Sequence, residues 1–299
     1  MNNYDMSLED SGLIPKEKIE QLKKENIHTC LQLIFTPYNI IKKYFNEEEE
    51  EEIFPKLEEL FKGIYRFRKN EHGIIKVPTL VGEIDNRIGG ISSGQITELC
   101  SEKRYLRTLF SYNLILNFIQ TFEDHLIIYN DSNQIFRPEK LYELANYRKI
   151  KKYSFLDKII VFKPYTIKQQ IEMLEEMEKN FDSDSKKLLI IDEIGNFFKP
   201  NSKKKNIIYY NYRMLENFML RINQLSAKYN IITLLLNNLI KNIEKNTYEP
   251  QYNSVTEDII GTRILLIEED KLVRTKIIIG EKIEEFRAAI SDYGISDAI

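Results

Sequence analysis

The sequence has 299 residues, of which 42% are hydrophobic and 30% are charged, so it can form a substantial core in one large domain with a small second one. The formal net charge of -3 argues against a protein that grips nucleic acid by itself, because phosphate binding depends on clustered Lys and Arg. We expect neither a membrane span, which needs roughly 18 uninterrupted apolar residues, nor a secretory signal in the polar segment from Met1 to Asp10.

The start of the chain predicts a small, all-helical N-terminal domain over residues 1–62. Apolar residues recur there at helical spacing, and Pro15 suits the first turn of a helix. The glutamate run at 47–52 is interpreted either as an acidic docking surface or as a solvated helix face. Residues 63–82 lose the periodicity and predict a linker, which leaves 83–299 as the core domain.

In the core domain, short apolar runs alternate with longer amphipathic segments. Apolar strands separated by helices are typical of a parallel sheet covered on both faces, so the fold class is predicted to be α/β. At the end of the chain, two apolar segments flank an acidic turn at 268–271, which predicts an antiparallel hairpin that closes the sheet. The predicted strands are 95–100, 126–129, 158–162, 188–192, 231–236, 263–267 and 274–279. The predicted helices are 107–121, 138–148, 167–179 and 209–229.

A degenerate phosphate-binding motif follows the first of these strands. In P-loop proteins, a turn of sequence G-x-x-x-x-G-K-[ST] joins a strand to a helix whose N-terminus binds phosphates. Ser101 and Leu106 stand in place of the glycines, whose conformational freedom lets backbone amides wrap the phosphates. Arg107 keeps the charge of the lysine but not its compact ammonium group, and only Thr108 matches. The full octet is Ser101, Glu102, Lys103, Arg104, Tyr105, Leu106, Arg107 and Thr108.

The segments around this octet resemble motifs of the RecA/RadA family of recombinases. Residues 85–98 are similar to the family's L-D-x-x-L-G-G-G-I-x-x-G-x-I-T-E segment, and 136–141 resembles its F-R-P-E-R-L. Residues 187–192 look like its Walker B strand, and 236–238 stand where the family has T-N-Q or T-N-H. The motifs occur in the family's order over nearly the whole chain. The resemblance therefore implies a RecA-like ATPase core, with a mostly parallel twisted sheet flanked by helices, after the small helical domain.

Within that family, two segments are most similar to the D-type paralogue of the eukaryotic strand-exchange recombinase. Asp131-Ser-Asn133 resembles its D-S-N, and the segment 261–266 resembles its S-T-R-I-L-L. The resemblance implies a nuclear protein whose partners are other recombinase paralogue subunits in a hetero-oligomer. Such a complex would mediate recombinase filament assembly on single-stranded DNA during homologous recombination and DNA repair.

The resemblance also identifies the positions of a nucleotide site. Asn133 stands where active recombinases have the glutamate that orients the attacking water, and an amide cannot take a proton. Asp192, in the Walker B position, is either a ligand of Mg²⁺ through water or a carboxylate that caps the next turn, and Glu193 is a candidate substitute base. Asn237 and Asn238 occupy the sensor-like positions. ATP and Mg²⁺ are the cofactors that the family implies, but the missing groups predict a chain that does not hydrolyse ATP.

Two loops correspond to the family's DNA-contacting segments. The first, 199–206, contains Lys203, Lys204 and Lys205 and is followed by tyrosines, which suits binding to single-stranded DNA. A solvated, flexible loop is an equally good interpretation of those lysines. The second loop, 241–258, is too acidic to favour a phosphate backbone.

The sequence leaves two other functions open. One is an active DNA-dependent ATPase with an unorthodox P-loop. The other is a protein-interaction scaffold that reuses the fold without any role on DNA, since a fold does not fix a function.

Overall fold

The computed structural model describes residues 6–34, 36, 38–62, 73–150, 153–181, 185–199, 205–242, 247–270 and 272–298. Helices form the first part of the chain, and strands and helices alternate after it. The helices are α1 (Leu8–Ser11), α2 (Lys16–Lys24), α3 (Cys30–Ile34), α4 (Tyr38–Tyr44), α5 (Glu47–Lys62), α6 (Gly82–Ile88), α7 (Arg104–Thr121), α8 (Pro138–Tyr147), α9 (Ile167–Lys179), α10 (Lys205–Lys228) and α11 (Asn253–Thr256). The strands are β1 (Lys76–Val77), β2 (Ile91–Ser92), β3 (Ile96–Ser101), β4 (His125–Asp131), β5 (Ile159–Phe162), β6 (Lys186–Asp192), β7 (Ile232–Asn242), β8 (Thr247–Pro250), β9 (Ile260–Glu269), β10 (Leu272–Ile279), β11 (Lys282–Ser291) and β12 (Gly294–Asp297).

Helices α1 to α5 pack around a core of their own. The side chain of Ser7 caps α1 by accepting a hydrogen bond from the amide of Asp10, and Gly12 ends the helix with a φ of 63°. Buried leucines from four helices meet in this core; they are Leu8, Leu22, Leu33 and Leu57. None of the helices in the described part of the chain is long and apolar enough to cross a membrane.

The predicted linker, 63–82, lies partly outside the described residues, which resume at Gly73. Strand β1 lies in the second half of this segment and pairs antiparallel with β2, which lies after it in the chain. A Cβ atom on Gly90, next to β2, would lie 2.3 Å from the carbonyl oxygen of Val77, so this close approach requires glycine. The domain boundaries drawn from the sequence stay a prediction.

One large sheet forms the centre of the core domain, with the strand order β12-β11-β10-β9-β3-β7-β6-β4-β5 and with β8 paired to β7. Six neighbouring strands, β9, β3, β7, β6, β4 and β5, run parallel. The predicted α/β fold class with a mostly parallel sheet is therefore confirmed. The predicted C-terminal hairpin is present as β9 and β10, but it continues through β11 and β12 into a four-stranded antiparallel meander.

Helices cover both faces of the parallel strands, as their continuous apolar sequences require. On one face, Leu106 and Leu114 of α7 pack in the same buried cluster as Leu99 of β3. On the other face, Leu174 of α9 and Phe218 of α10 pack in a second cluster with strand residues. Full burial of each such side chain contributes roughly 1.5–3 kcal/mol of hydrophobic stabilisation. The two packed faces hold the carboxyl ends of the parallel strands in fixed relative positions.

Candidate functional site

The positions assigned by sequence to a nucleotide site meet at the carboxyl ends of β3, β6 and β7. In the parallel register, Ser101 of β3 lies opposite Asn238 of β7, and Asp192 of β6 lies opposite Leu236 of β7. Asp131 of β4 lies opposite Asp192. This edge is where open parallel sheets bind their ligands, because the connecting loops separate there.

The octet does not form the wide turn of a P-loop. Strand β3 ends at Ser101 and helix α7 begins at Arg104, so Glu102 and Lys103 alone connect them. The hydroxyl of Ser101 accepts a hydrogen bond from the amide of Lys103 at 3.2 Å, which stabilises this short turn. The helix begins three residues before the predicted start at Arg107. Two connecting residues are too few for the wide loop whose backbone amides surround a phosphate in P-loop proteins.

Leu106 and Thr108 have structural surroundings on this helix. Leu106 is fully buried in the main core cluster, where a glycine would leave a cavity. The hydroxyl of Thr108 donates to the carbonyl oxygen of Arg104 at 3.2 Å, one helical turn before it. The only residue that matches the motif is thus in the second turn of α7, away from the helix start where anions bind.

The exposed part of the octet contacts the antiparallel meander. The hydroxyl of Tyr105 donates to Glu268 of β9 at 2.6 Å, and the ammonium of Lys103 lies 3.7 Å from the same carboxylate. Burial, together with the neighbouring Glu268 charge, raises the pKa of Tyr105 to about 12. Tyr105 and Lys103 therefore both contact β9 through Glu268.

Arg107 turns inward and forms a buried ion pair. Its Nη2 donates to Oε2 of Glu193 at 2.8 Å, and both side chains are 1% exposed. Its Nη1 donates to Oδ1 of Asn238 at 2.6 Å and to the carbonyl oxygen of Ser101. Burial lowers the pKa of Arg107, an effect opposed by the charge of Glu193. The only cation in the buried part of the octet is thus neutralised within the chain.

Asp192 is buried beside Asn133 and a tyrosine. The hydroxyl of Tyr129 donates to Oδ2 of Asp192 at 2.6 Å, and the amide of Asn133 donates to Oδ1 at 3.4 Å. Burial raises the pKa of Asp192 to about 6, against the lowering effect of the Tyr129 hydrogen bond. The structure therefore places Asn133 beside Asp192, the residue in the predicted Walker B position.

Glu193 is held by both its backbone and its side chain. The hydroxyl of Ser132 donates to the carbonyl oxygen of Glu193 at 2.8 Å, and the amide of Glu193 donates to that hydroxyl at 2.9 Å. Its carboxylate accepts hydrogen bonds from Arg107 and Asn238. A base for water activation needs an oxygen that is available to a water molecule. The side chain of Glu193 is instead 1% exposed and accepts hydrogen bonds from two donors of the chain, so it is shielded from solvent.

The sensor-like asparagines connect two buried networks. Asn237 donates to Oε1 of Glu98 at 2.8 Å, and the other oxygen of Glu98 accepts from Nε of Arg263. Asn238 links Arg107 and Glu193, as described above. Sequence reasoning missed the Glu98–Arg263 pair. Its signal is a charged residue inside each of two apolar strands, β3 and β9, since a buried charge requires a partner.

These residues do not fit a P-loop nucleotide with its Mg²⁺. The turn offers no loop of backbone amides, Leu106 fills the core, and Glu193 already neutralises Arg107. We therefore derive no chemical step through ATP or Mg²⁺ at this site.

The predicted DNA-contacting lysines fall at the edge of the described residues. Lys203 and Lys204 lie outside them, and Lys205 is the first residue of α10. The second predicted loop, 241–258, contains the end of β7, the strand β8 and the short helix α11. That segment is therefore ordered into a β-hairpin and a helical turn in its described parts.

Comparison with known proteins finds recombination and DNA repair proteins among the relatives of this chain. Meiotic recombination protein DMC1/LIM15 homolog of Mus musculus is 25% identical over 60% of this chain. DNA repair protein rhp51 of Schizosaccharomyces pombe is 20% identical over 81% of the chain, and DNA repair and recombination protein RadA of Cenarchaeum symbiosum is 23% identical over 79%. The matches cover 55%, 69% and 63% of these three proteins, so the chain spans about half the length of the mouse protein.

A family model provides the broader assignment. The model described as Rad51 matches residues 70–277, which include β1 to β9 and most of β10, and thus the whole of the buried site. The ordered motifs and the mostly parallel sheet lie within the matched residues, and the match confirms the resemblance to the RecA/RadA family seen in the sequence. The chain belongs to the Rad51 family of RecA/RadA-type recombinases.

Proposed function

We propose that this chain is a nuclear subunit of a recombinase-paralogue complex that acts in homologous recombination and DNA repair. Its role is to mediate recombinase filament assembly on single-stranded DNA, without hydrolysing ATP itself. The family match and relatives named as meiotic recombination and DNA repair proteins support the recombination role. The motif-level similarity to the D-type paralogue supports the more specific role of a non-catalytic subunit.

The contact between Arg107 and Glu193 carries the proposal that turnover is absent. A phosphate group is stabilised by a cation whose charge is available to it. To bind phosphate, Arg107 would have to leave Glu193 as an unpaired buried carboxylate, which is strongly destabilising. Asn133 also lacks the basicity of the glutamate found in active recombinases.

The proposal includes partner subunits. A protein that binds its ligand only in the native state gains stability from that ligand, and a chain without the nucleotide loses this contribution. We expect co-expression with a recombinase paralogue to raise soluble yield and melting temperature. Equal behaviour with and without such a partner contradicts an obligate complex.

Steady-state phosphate release, measured with and without single-stranded DNA, tests the absence of turnover. The expected rate is the background rate in both conditions, with an active recombinase as the positive control. The variant Thr108→Ala is the matched control, because Thr108 is the single residue that fits the motif. A DNA-stimulated rate that Thr108→Ala abolishes would establish the active ATPase instead.

The DNA-contacting role is tested on the assembled complex, because the chain has a net charge of -3. If 199–206 contacts phosphates, changing Lys203, Lys204 and Lys205 to alanine weakens binding equally for all sequences. The slope of log affinity against log salt then flattens by up to about two or three units. Unchanged affinity and slope would show that the lysines only solvate the loop. Purification from native extract without any recombinase paralogue would favour the scaffold function.

A further inference from the structure

The buried site is connected to residues 247–257, the segment that follows β7. Gln251, the first residue after β8, makes three hydrogen bonds with two asparagines of β7. Its amide donates to the carbonyl oxygen of Asn238 at 2.8 Å, and its side-chain oxygen accepts from Asn238 at 3.3 Å. Its carbonyl oxygen accepts from the side chain of Asn237 at 2.7 Å. The end of β8 is thus fixed to the middle of β7 by side chains as well as by backbone.

A second connection reaches the short helix α11. Nη1 of Arg263 donates to Oδ1 of Asn253 at 2.7 Å, and its Nη2 donates to the hydroxyl of Thr256 at 3.1 Å. Nε of the same guanidinium is held by Glu98 of β3. The 247–257 segment is therefore attached to the interior of the sheet at two separate places.

Three side chains complete a closed set of contacts behind the first attachment. Arg107 comes from α7, Glu193 from the end of β6 and Asn238 from β7, and each of the three contacts the other two. We name these three residues the clasp. The clasp contains one cation and one anion, so it is neutral, and all its partners lie within the chain.

We infer that the clasp holds the 247–257 segment in one arrangement whether or not a nucleotide is present. A switch between two arrangements requires an element with two alternatives that a ligand can bias by binding them unequally. Here the guanidinium that a phosphate would attract is committed to Glu193 and to Asn238, and through Asn238 to Gln251. This inference goes beyond the proposed function, because it concerns the isolated chain and depends on neither partner subunits nor DNA.

Hydrogen–deuterium exchange of peptides that cover 247–257 tests the inference in the full-length chain. Asn238→Ala removes the side-chain contacts of Asn238 with Gln251, Arg107 and Glu193. It leaves the Arg107–Glu193 ion pair and the backbone hydrogen bond from Gln251 to residue 238, so we expect the fold to be retained. We expect exchange in this segment to accelerate about 5-fold or more, the lower end of typical coupling between sites. We expect wild-type exchange to be the same with and without ATP and Mg²⁺.

A second variant keeps the test independent of one substitution. Arg107→Met combined with Glu193→Leu removes both charges together and avoids a buried, unpaired ion. It should accelerate exchange in the same peptides. Arg148→Met is the matched control, because Arg148 contacts α7 through Asn113 and Gln120, away from the clasp, and should leave 247–257 unchanged.

Two results would overturn the inference. One is unchanged exchange of 247–257 in both folded variants. The other is wild-type exchange in that segment that slows when ATP and Mg²⁺ are added, since this would show that a nucleotide still controls it. Unchanged exchange in both variants bears on the clasp alone. An effect of ATP would also show that the chain binds nucleotide, and steady-state phosphate release then separates the two failures, because it stays at background if only the inference fails.

Discussion

Ion pairs occur in two contrasting regions of the large sheet. Between β3 and β9, Glu98 is fully buried and pairs with Arg263, whose side chain is 11% exposed. On the meander, Glu269 of β9 contacts Arg274 of β10 at 2.9 Å and Arg287 of β11 at 3.3 Å. The side chain of Arg287 is 65% exposed. The same chemical pair is thus present in a dry and in a wet environment within one sheet.

The two environments predict different sensitivities of protein stability to the loss of one charged partner. A buried charge has lost its hydration, so removing its partner leaves that loss without compensation. An exposed charge exchanges its partner for water and dissolved ions, so the same removal changes little. We therefore expect the buried region to determine the stability of the core and the exposed region to contribute mainly to solubility.

The largest effect is expected for Arg263→Met. The change leaves the carboxylate of Glu98 buried without its cation and removes the hydrogen bonds to Asn253 and Thr256. We expect the free energy of unfolding to fall by about 3–5 kcal/mol. Urea unfolding followed by circular dichroism measures this change. Adding Glu98→Leu to the same chain should recover part of the lost stability, because it removes the unpaired charge. If Arg263→Met alone lowers the free energy of unfolding by less than about 1 kcal/mol, burial does not make this ion pair more important than an exposed one.

Much of the fold could be predicted because apolar runs identify buried strands. The predicted strand at 188–192 corresponds to β6 (Lys186–Asp192), and the helix at 167–179 matches α9. The strand β11 was missed because the segment from Lys282 to Arg287 mixes charged and apolar residues on a sheet that is exposed on one face. The apolar residues of this stretch, Ile283 and Phe286, are three positions apart, so it lacks the strict alternation that identifies an antiparallel strand.

The candidate site could be located by sequence but its contacts could not. The motif order placed Arg107, Asp192 and Asn238 at one sheet edge, since the carboxyl ends of parallel strands lie together. That Arg107 pairs with Glu193 depends on the short turn before α7, which directs the guanidinium inward. Sequence spacing does not encode this direction, because the partners are 86 residues apart.

A buried histidine shows how burial changes the pKa of a group that forms no ion pair in the described part of the chain. His125, at the start of β4, has its Nδ1 2.7 Å from the carbonyl oxygen of Phe122, and its ring packs edge-on against Phe118. Burial lowers its pKa below the ordinary 6.5, although the hydrogen bond to Phe122 opposes this shift. The unfolded chain therefore takes up a proton at this residue more readily than the folded chain.

The sign of the pH dependence follows from that difference. The contribution of neutral His125 is fully present above pH 6.5 and is lost as the pH falls below 6.5 towards the lowered pKa. We expect His125→Gln to reduce the loss of stability in this range. Urea unfolding of both proteins above and below pH 6.5 measures it. An identical pH dependence in the two proteins would show that His125 is not the group responsible.

The smallest effect is expected for Arg287→Met on the exposed face of the meander. Glu269 keeps its contact with Arg274 after the change, so its carboxylate retains a cation as well as access to water. We expect a loss of about 0.2–1 kcal/mol in the free energy of unfolding. The loss should shrink as salt is added, because a Debye length of about 8 Å at physiological ionic strength already weakens exposed pairs. Unfolding curves at low and high salt measure this dependence. If Arg287→Met lowers the free energy of unfolding as much as Arg263→Met does at both salt concentrations, burial does not explain the difference between the two ion pairs.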